Sequence, residues 1–181
     1  TTATFANMTA STFTSGSDTI TINGVGGNEN ITGPNVASTI NGYAGADTIV
    51  GGSANDTING GDGSDSLTGN GGNDIYLFDA NDVDTGESIT EAGGGGTDVV
   101  VLNSTIDFSN MTAASFDEIE EIRFASADGT GTFTGTQLTG ETLDLTETAA
   151  GTSNVIVNVA SGTTVTFANM TASTFTSGSD T

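Results

Sequence analysis

Residues 42 to 77 divide into four consecutive lines of nine: GYAGADTIV, GGSANDTIN, GGDGSDSLT and GNGGNDIYL. Asp47, Asp56, Asp65 and Asp74 take the sixth place of their lines, and Ile49, Ile58, Leu67 and Tyr76 the eighth. A chain that returns a carboxylate and an apolar side chain at a fixed interval is restricted to winding, because each line buries its apolar residue only against neighbouring lines. The glycine-rich six residues that open each line read as a tight turn, since glycine supplies the positive φ and close backbone approach that turns need. The three residues that follow read as a short strand whose middle side chain alone points inward, because strand side chains alternate. If two lines make one coil, each line stacks on the line two further on, about 4.8 Å away. Asp47 then lies under Asp65, and Asp56 under Asp74.

That stacking sets an electrostatic problem. Two carboxylates roughly 5 Å apart repel by about 3 kcal/mol at an effective dielectric near 20, and the chain has no lysine or histidine to neutralise them. A hard divalent cation taking six to eight oxygen ligands does so, using the aspartates and the carbonyls that glycine leaves accessible. Calcium suits irregular turns better than magnesium, which demands a strict octahedron.

Gly-Gly-x-Gly-x-Asp-x-apolar-x resembles the nonapeptide of the RTX (repeat-in-toxin, haemolysin-type) family, and lines 51 to 59, 60 to 68 and 69 to 77 carry it with few departures. The resemblance implies an all-β fold, a parallel β-roll or β-solenoid stabilised by calcium held between successive turns on both edges. It implies carbonyl ligands near Gly42, Ala44 and Gly45, near Gly51, Ser53 and Ala54, near Gly60, Asp62 and Gly63, and near Gly69, Gly71 and Gly72. At least two ions are expected, one for each aspartate stack.

The register extends in both directions. Upstream, residues 24 to 32 keep Ile31 but offer Glu29 at the aspartate place, and residues 33 to 41 offer Ser38, so the coil is expected to continue there with weak or empty metal sites. Downstream, residues 93 to 101 return to the pattern with Asp98 as ligand and Val100 inward. Between them, Asp79, Asp82, Asp84, Glu87 and Glu91 lack a fixed period and read as a solvated surface loop, with a distinct calcium site as the alternative.

Composition makes the fold depend on metal. The net charge is -22 with a single Lys or Arg residue, Arg123. Leu, Ile, Val and Phe make up about a fifth of the chain, at the border where chains stay disordered. The metal-free chain is therefore expected to be disordered or molten and to fold on binding calcium. The absence of cysteine leaves metal as the staple of a thin core, and calcium at extracellular concentration is enough for modules of this kind. These features place the chain outside the cell, secreted or on the cell surface. With no run of 18 apolar residues, membrane insertion is not expected. Opening on Thr1, the chain reads as an excerpt or mature fragment.

A second repeat is much longer. Residues 1 to 19 return as residues 163 to 181 with Ala3 against Val165 as the only difference, which implies a tandem unit of 162 residues. A looser copy of the Phe-x-Asn-Met-Thr-Ala-x-x-Phe core lies at Phe108 to Phe116. Each copy reads as a strand and a bend that pack Phe and Met against the coil. Phe5, Met8 and Phe13, with Phe167, Met170 and Phe175, are thus expected to form the joint between units. Four segments follow: a β-strand joint (1 to 23), the RTX-type roll (24 to 101), a β-rich segment of further rungs without the metal pattern (102 to 162) and the start of the next repeat (163 to 181). In the third segment, Phe133, Leu138, Leu143 and Leu145 read as rungs divided by turns. Ile122 to Phe124 reads as strand, with Arg123 paired to a neighbouring glutamate.

The functional reading is a structural calcium-binding repeat unit of a secreted filament, surface layer or adhesin stalk, partnered by copies of itself and by glycans or a cell surface. The alternative is an accessory calcium-folding module of a secreted enzyme or toxin. Catalysis is not expected, because without His, Cys or Lys no serine or threonine has an evident base. Nucleic acid is excluded as a partner by the sign of the charge. Asn7, Asn30, Asn55, Asn103, Asn110 and Asn169 open glycosylation sequons.

Overall fold

The computed structural model describes residues 1–4, 20–91, 95–166 and 170–172. Phe5, Met8, Phe13, Phe167 and Phe175 of the expected joint lie outside the described residues, as do positions 93 and 94 of the downstream repeat. Among the described residues the chain is all-β, winding as a parallel solenoid. Strands alternate between two facing sheets. One joins β1 (Thr2–Thr4), β3 (Asn30–Thr32), β5 (Thr48–Val50), β7 (Ser66–Thr68) and β9 (Ser88–Thr90). The other runs from β2 (Ile20–Asn23) through β4 (Ser38–Ala44), β6 (Thr57–Asp62), β8 (Ile75–Phe78), β10 (Val99–Leu102), β12 (Glu121–Phe124) and β14 (Asp144–Glu147) to β16 (Thr171–Ala172). A smaller sheet of β11 (Ile106–Asp107), β13 (Thr130–Thr134) and β15 (Asn154–Asn158) takes over opposite the second sheet in the later turns.

The nine-residue line sets the register. Thr48 pairs with Ser66 and Thr39 with Thr57, in parallel, so two lines do make one turn. The eighth-place residues consequently stack into two ladders. Ile31, Ile49, Leu67 and Ile89 line one face of the core, and Ile22, Ile40, Ile58, Tyr76, Val100 and Ile122 the other, all buried. Burying a side chain of this size stabilises by about 1.5–3 kcal/mol relative to exposure.

Beyond β8 the turns lengthen and the core widens. The extra room is filled by rings: Phe78 and Phe108 meet edge to face at 5.2 Å, Phe108 stacks on Phe133 at 5.1 Å, and Phe116 lies 5.5 Å from Phe133. The Phe108 to Phe116 motif differs from the expected strand and bend. The two residues of β11 precede it, and its second half is a 3-10 turn over Ala113–Phe116. Phe108, Met111 and Phe116 are nevertheless all buried, and Met170 of the last repeat packs against the same core.

Leu138 is likewise no strand rung. It ends a single helical turn, α1 (Gly135–Leu138), whose Gln137 carboxamide donates to the carbonyls of Phe108 (2.7 Å) and Met111 (2.9 Å). The Phe108 carbonyl also accepts from the Met111 amide (2.9 Å), so the Gln137 side chain ties this turn to α1 in a region without a regular ladder. Arg123 pairs with Glu121 through two bonds of 2.8 and 2.7 Å, as a strand neighbour two residues away on the same face allows. No helix among the described residues is long and apolar enough to cross a membrane.

Candidate metal centre

The turns stack as the strands do, which puts the sixth-place acids into two columns, one on each edge of the coil. On one edge the amide of Glu29 donates to Asp47 Oδ1 (2.7 Å), Asp47 to Asp65 Oδ1 (2.7 Å) and Asp65 to Glu87 Oε2 (2.8 Å). On the other, Ser38 donates to Asp56 Oδ1 (2.8 Å), Asp56 to Asp74 Oδ1 (2.7 Å), Asp74 to Asp98 Oδ1 (2.8 Å) and Asp98 to Glu120 Oε2 (2.7 Å). Each carboxylate thus caps the amide of the turn beneath with one oxygen. The aspartates are held at the stacking distance by these bonds, and all of them are buried.

The second oxygen of several acids has no partner. Asp47 Oδ2, Asp65 Oδ2, Asp74 Oδ2 and Glu87 Oε1 are buried without a hydrogen bond, a situation that costs several kcal/mol for an ionised group unless a cation balances it. The three aspartate oxygens lie beside the first glycine of their own lines, Gly42, Gly60 and Gly69. A side chain at Gly42 would begin 2.4 Å from Asp47 Oδ2 and 2.5 Å from the Gly60 carbonyl oxygen. One at Gly51 would begin 2.7 Å from Asp56 Oδ2 and 2.8 Å from the Gly69 carbonyl oxygen. At Gly24 the neighbours are the Gly42 carbonyl at 2.6 Å and Glu29 Oε2 at 3.0 Å. Carboxylate and carbonyl oxygens from successive turns therefore converge beside a glycine, a donor set that fits a hard cation.

Gly42, Gly60 and Gly69 are the carbonyl positions brought to that convergence. Ala44 and Asp62 are not free in the same way, because their carbonyls already accept from the amides of Gly27 (2.6 Å) and Gly45 (2.8 Å) in the turn below. The fourth-place glycines also serve the stacking. Gly45, Gly63 and Gly72 have φ of 132°, 134° and 126°, and the Gly45 carbonyl oxygen sits 1.8 Å from where a side chain on Gly63 would start.

Burial drives the titration of these acids, with like charges adding to it. It pushes Asp65 up to about 6, Asp74 to about 7, Glu91 to about 7 and Glu87 to about 9, and raises Asp47, Asp56 and Asp98 as well. Without a cation, the turns resist their own ionisation.

The irregular acids of residues 79 to 91 depart from a solvated loop. Asp79, Asp84 and their neighbours are exposed or half-buried, but Asp82 and Glu87 are buried, and Glu87 occupies the aspartate place above Asp65. Glu120 does the same above Asp98. Periodicity misses both, because the turns there are longer. A local signal marks them: Glu87-Ser-Ile89 and Glu120-Glu-Ile122 repeat the acid, spacer, inward-residue order of Asp65-Ser-Leu67.

A parallel coil with two columns of turn-borne oxygens defines a calcium-binding β-solenoid module. Residues 23–58 and 41–76 match the RTX calcium-binding nonapeptide repeat, in four copies, so this stretch of the chain is similar to an RTX repeat array. Such repeats bind Ca2+, several ions to an array, and are typical of secreted proteins. No curated protein and no solved structure gives a match to the chain.

Proposed function

We propose that the chain is a structural repeat unit of a secreted filament, surface layer or adhesin stalk that stiffens on binding calcium and joins head to tail with copies of itself. Asp47 and Asp65 on one edge, and Asp56, Asp74 and Asp98 on the other, hold the ions with the glycine carbonyls between them, Glu29 giving a weaker site. Bound calcium supplies the positive charge that a chain of net charge -22 lacks. No catalytic step is assigned to it.

The observation that carries the head-to-tail reading is one segment seen in two settings. Residues 2–4 form β1, which supports the first coil by pairing with β3, Ala3 against Ile31. Their duplicates at the other end lie on the last turns, where the amide of Gly140 donates to the Thr166 carbonyl (3.4 Å) and Val165 packs over Gly135. A segment making both sets of contacts at once would carry the coil from one unit into the next. Other copies of the chain are then the first partner, with glycans or a cell surface at the ends of the array.

A chain of two tandem units tests the proposal by circular dichroism and small-angle scattering. Strand signal that appears with calcium and vanishes in excess EGTA is expected, together with scattering from one rod of doubled length. A full strand spectrum in EGTA removes the calcium dependence. Two beads on a flexible tether remove the continuous joint and favour the accessory-module alternative.

A further inference from the structure

The turn that carries Asp98, on the Asp56, Asp74 and Asp98 edge, does not copy those below it. β9 stacks on β7 with Thr90 over Thr68, so Glu91 comes directly above Gly69, at the place that Gly51 and Gly69 hold in their own lines. Its carboxylate turns into the coil. A side chain on Gly69 would begin 2.3 Å from Asp74 Oδ2, 2.7 Å from Glu91 Oε1 and 2.7 Å from the Tyr76 hydroxyl oxygen. Oxygens of Asp74, Glu91 and Asp98 lie within 4.8 Å of one another. Asp74 is fully buried and its Oδ2, aimed into this space, has no hydrogen-bond partner. The single cationic side chain of the protein is committed elsewhere, in the Arg123 pair with Glu121 at 2.7 Å.

We propose that Asp74, Glu91 and Asp98 form a calcium site of their own kind, built on three carboxylates, and that it is the tightest in the roll. This rests on the calcium-binding reading of the coil and adds a ligand that the nonapeptide pattern does not contain. At Gly24, Gly42 and Gly51 a turn offers a carboxylate and a carbonyl beside its first glycine, whereas here a glutamate replaces the glycine. Affinity in oxygen sites rises with the number of charged ligands and with rigidity. Rigidity is supplied by the amides of Asp56 and Asp74, which fix Asp74 Oδ1 and Asp98 Oδ1 at 2.7 and 2.8 Å. Tyr76 is a positioning residue: its buried hydroxyl donates to Glu91 Oε1 and turns that carboxylate toward the ion.

Calcium stoichiometry by native mass spectrometry, with a calcium isotherm, tests this on the full chain. Glu91→Gln is expected to keep the strand spectrum in excess calcium while losing one ion and the tightest step of the isotherm. Tyr76→Phe should keep the ion count and weaken that step roughly tenfold, the usual scale for a partner that orients a ligand. Terbium gives an independent readout, because the chain has two tyrosines and no tryptophan. In a Tyr43→Phe background, Tyr76 alone sensitises emission, and Glu91→Gln should abolish the emission seen at the lowest terbium. Should Glu91→Gln fail to fold, Glu91→Asp must weaken the same step. Wild-type stoichiometry and affinity in the folded Glu91 variant overturn the proposal and leave the calcium module standing. A wild-type chain that binds no calcium overturns both.

Discussion

At the scale of single residues, the first glycine of each line matters more for what it leaves empty than for its freedom of rotation. Gly60 shows this most sharply, since a side chain there would start 2.2 Å from Asp65 Oδ2, closer than any van der Waals contact permits. The missing methyl is the space into which the carboxylate folds back under its own turn. Gly60→Ala should therefore displace the Asp65 carboxylate and raise the calcium concentration needed for half-folding by about tenfold, an effect of roughly 1.4 kcal/mol. Calcium titration followed by circular dichroism checks it. Gly71, where a side chain would meet nothing within 4 Å, is the matched control and should tolerate alanine. Equal effects at the two positions would mean that the loss is general to glycine.

At the scale of elements, the coil is a pair of apolar ladders with a turn between each rung. Leu67 sits between Ile49 and Ile89 and is fully buried. Leu67→Ala should cost about 3 kcal/mol, because the ladder above and below is fixed by hydrogen-bonded strands and cannot collapse into the gap. Denaturant unfolding in saturating calcium measures it, and a loss under about 1 kcal/mol would show that the ladder is not close-packed. These ladders were legible in the sequence because nine-residue lines leave little choice of register, and Asp47, Asp56, Asp65 and Asp74 follow from the same count. Glu87, Glu91 and Glu120 were not, for a physical reason. Once Ser66 pairs with Ser88 and Ile75 with Val99, the turns have outgrown two lines, and the acid column continues while the interval that announces it is gone. The 3-10 turn after Met111 and the helical turn at Leu138 escape for a similar reason, since they fit themselves to an aromatic core whose width no local pattern records.

At the scale of the molecule, charge governs stability. Burial sets Asp65, Asp74 and Glu87 at about 6, 7 and 9, above the value of about 4 that carboxylates have in an unfolded chain. The folded, metal-free chain holds protons that the unfolded chain releases. Its stability from these groups is full below about pH 4 and is lost as pH rises through 6 and beyond. Calcium reverses the slope, because it binds the ionised carboxylates. In EGTA, acidification from about pH 8 to pH 4 should restore strand signal and raise the thermal midpoint, so that protons replace calcium in part. In excess calcium the midpoint should hold or fall over the same interval. A chelated chain that loses structure on acidification would contradict this linkage.

The growth in turn length along the coil gives the molecule a direction. Its first rungs, at β1 and β2, are held by small aliphatic contacts, while from β8 onward the coil encloses an aromatic interior of Phe78, Phe108, Phe116 and Phe133. Residues 2–4 complete the first coil and their duplicates at 164–166 lie against the last, so a joint that uses one such segment for both is a joint between unlike ends. A row of such units consequently points one way along its whole length, and anything that meets it from the front encounters a different face from anything that meets it from behind.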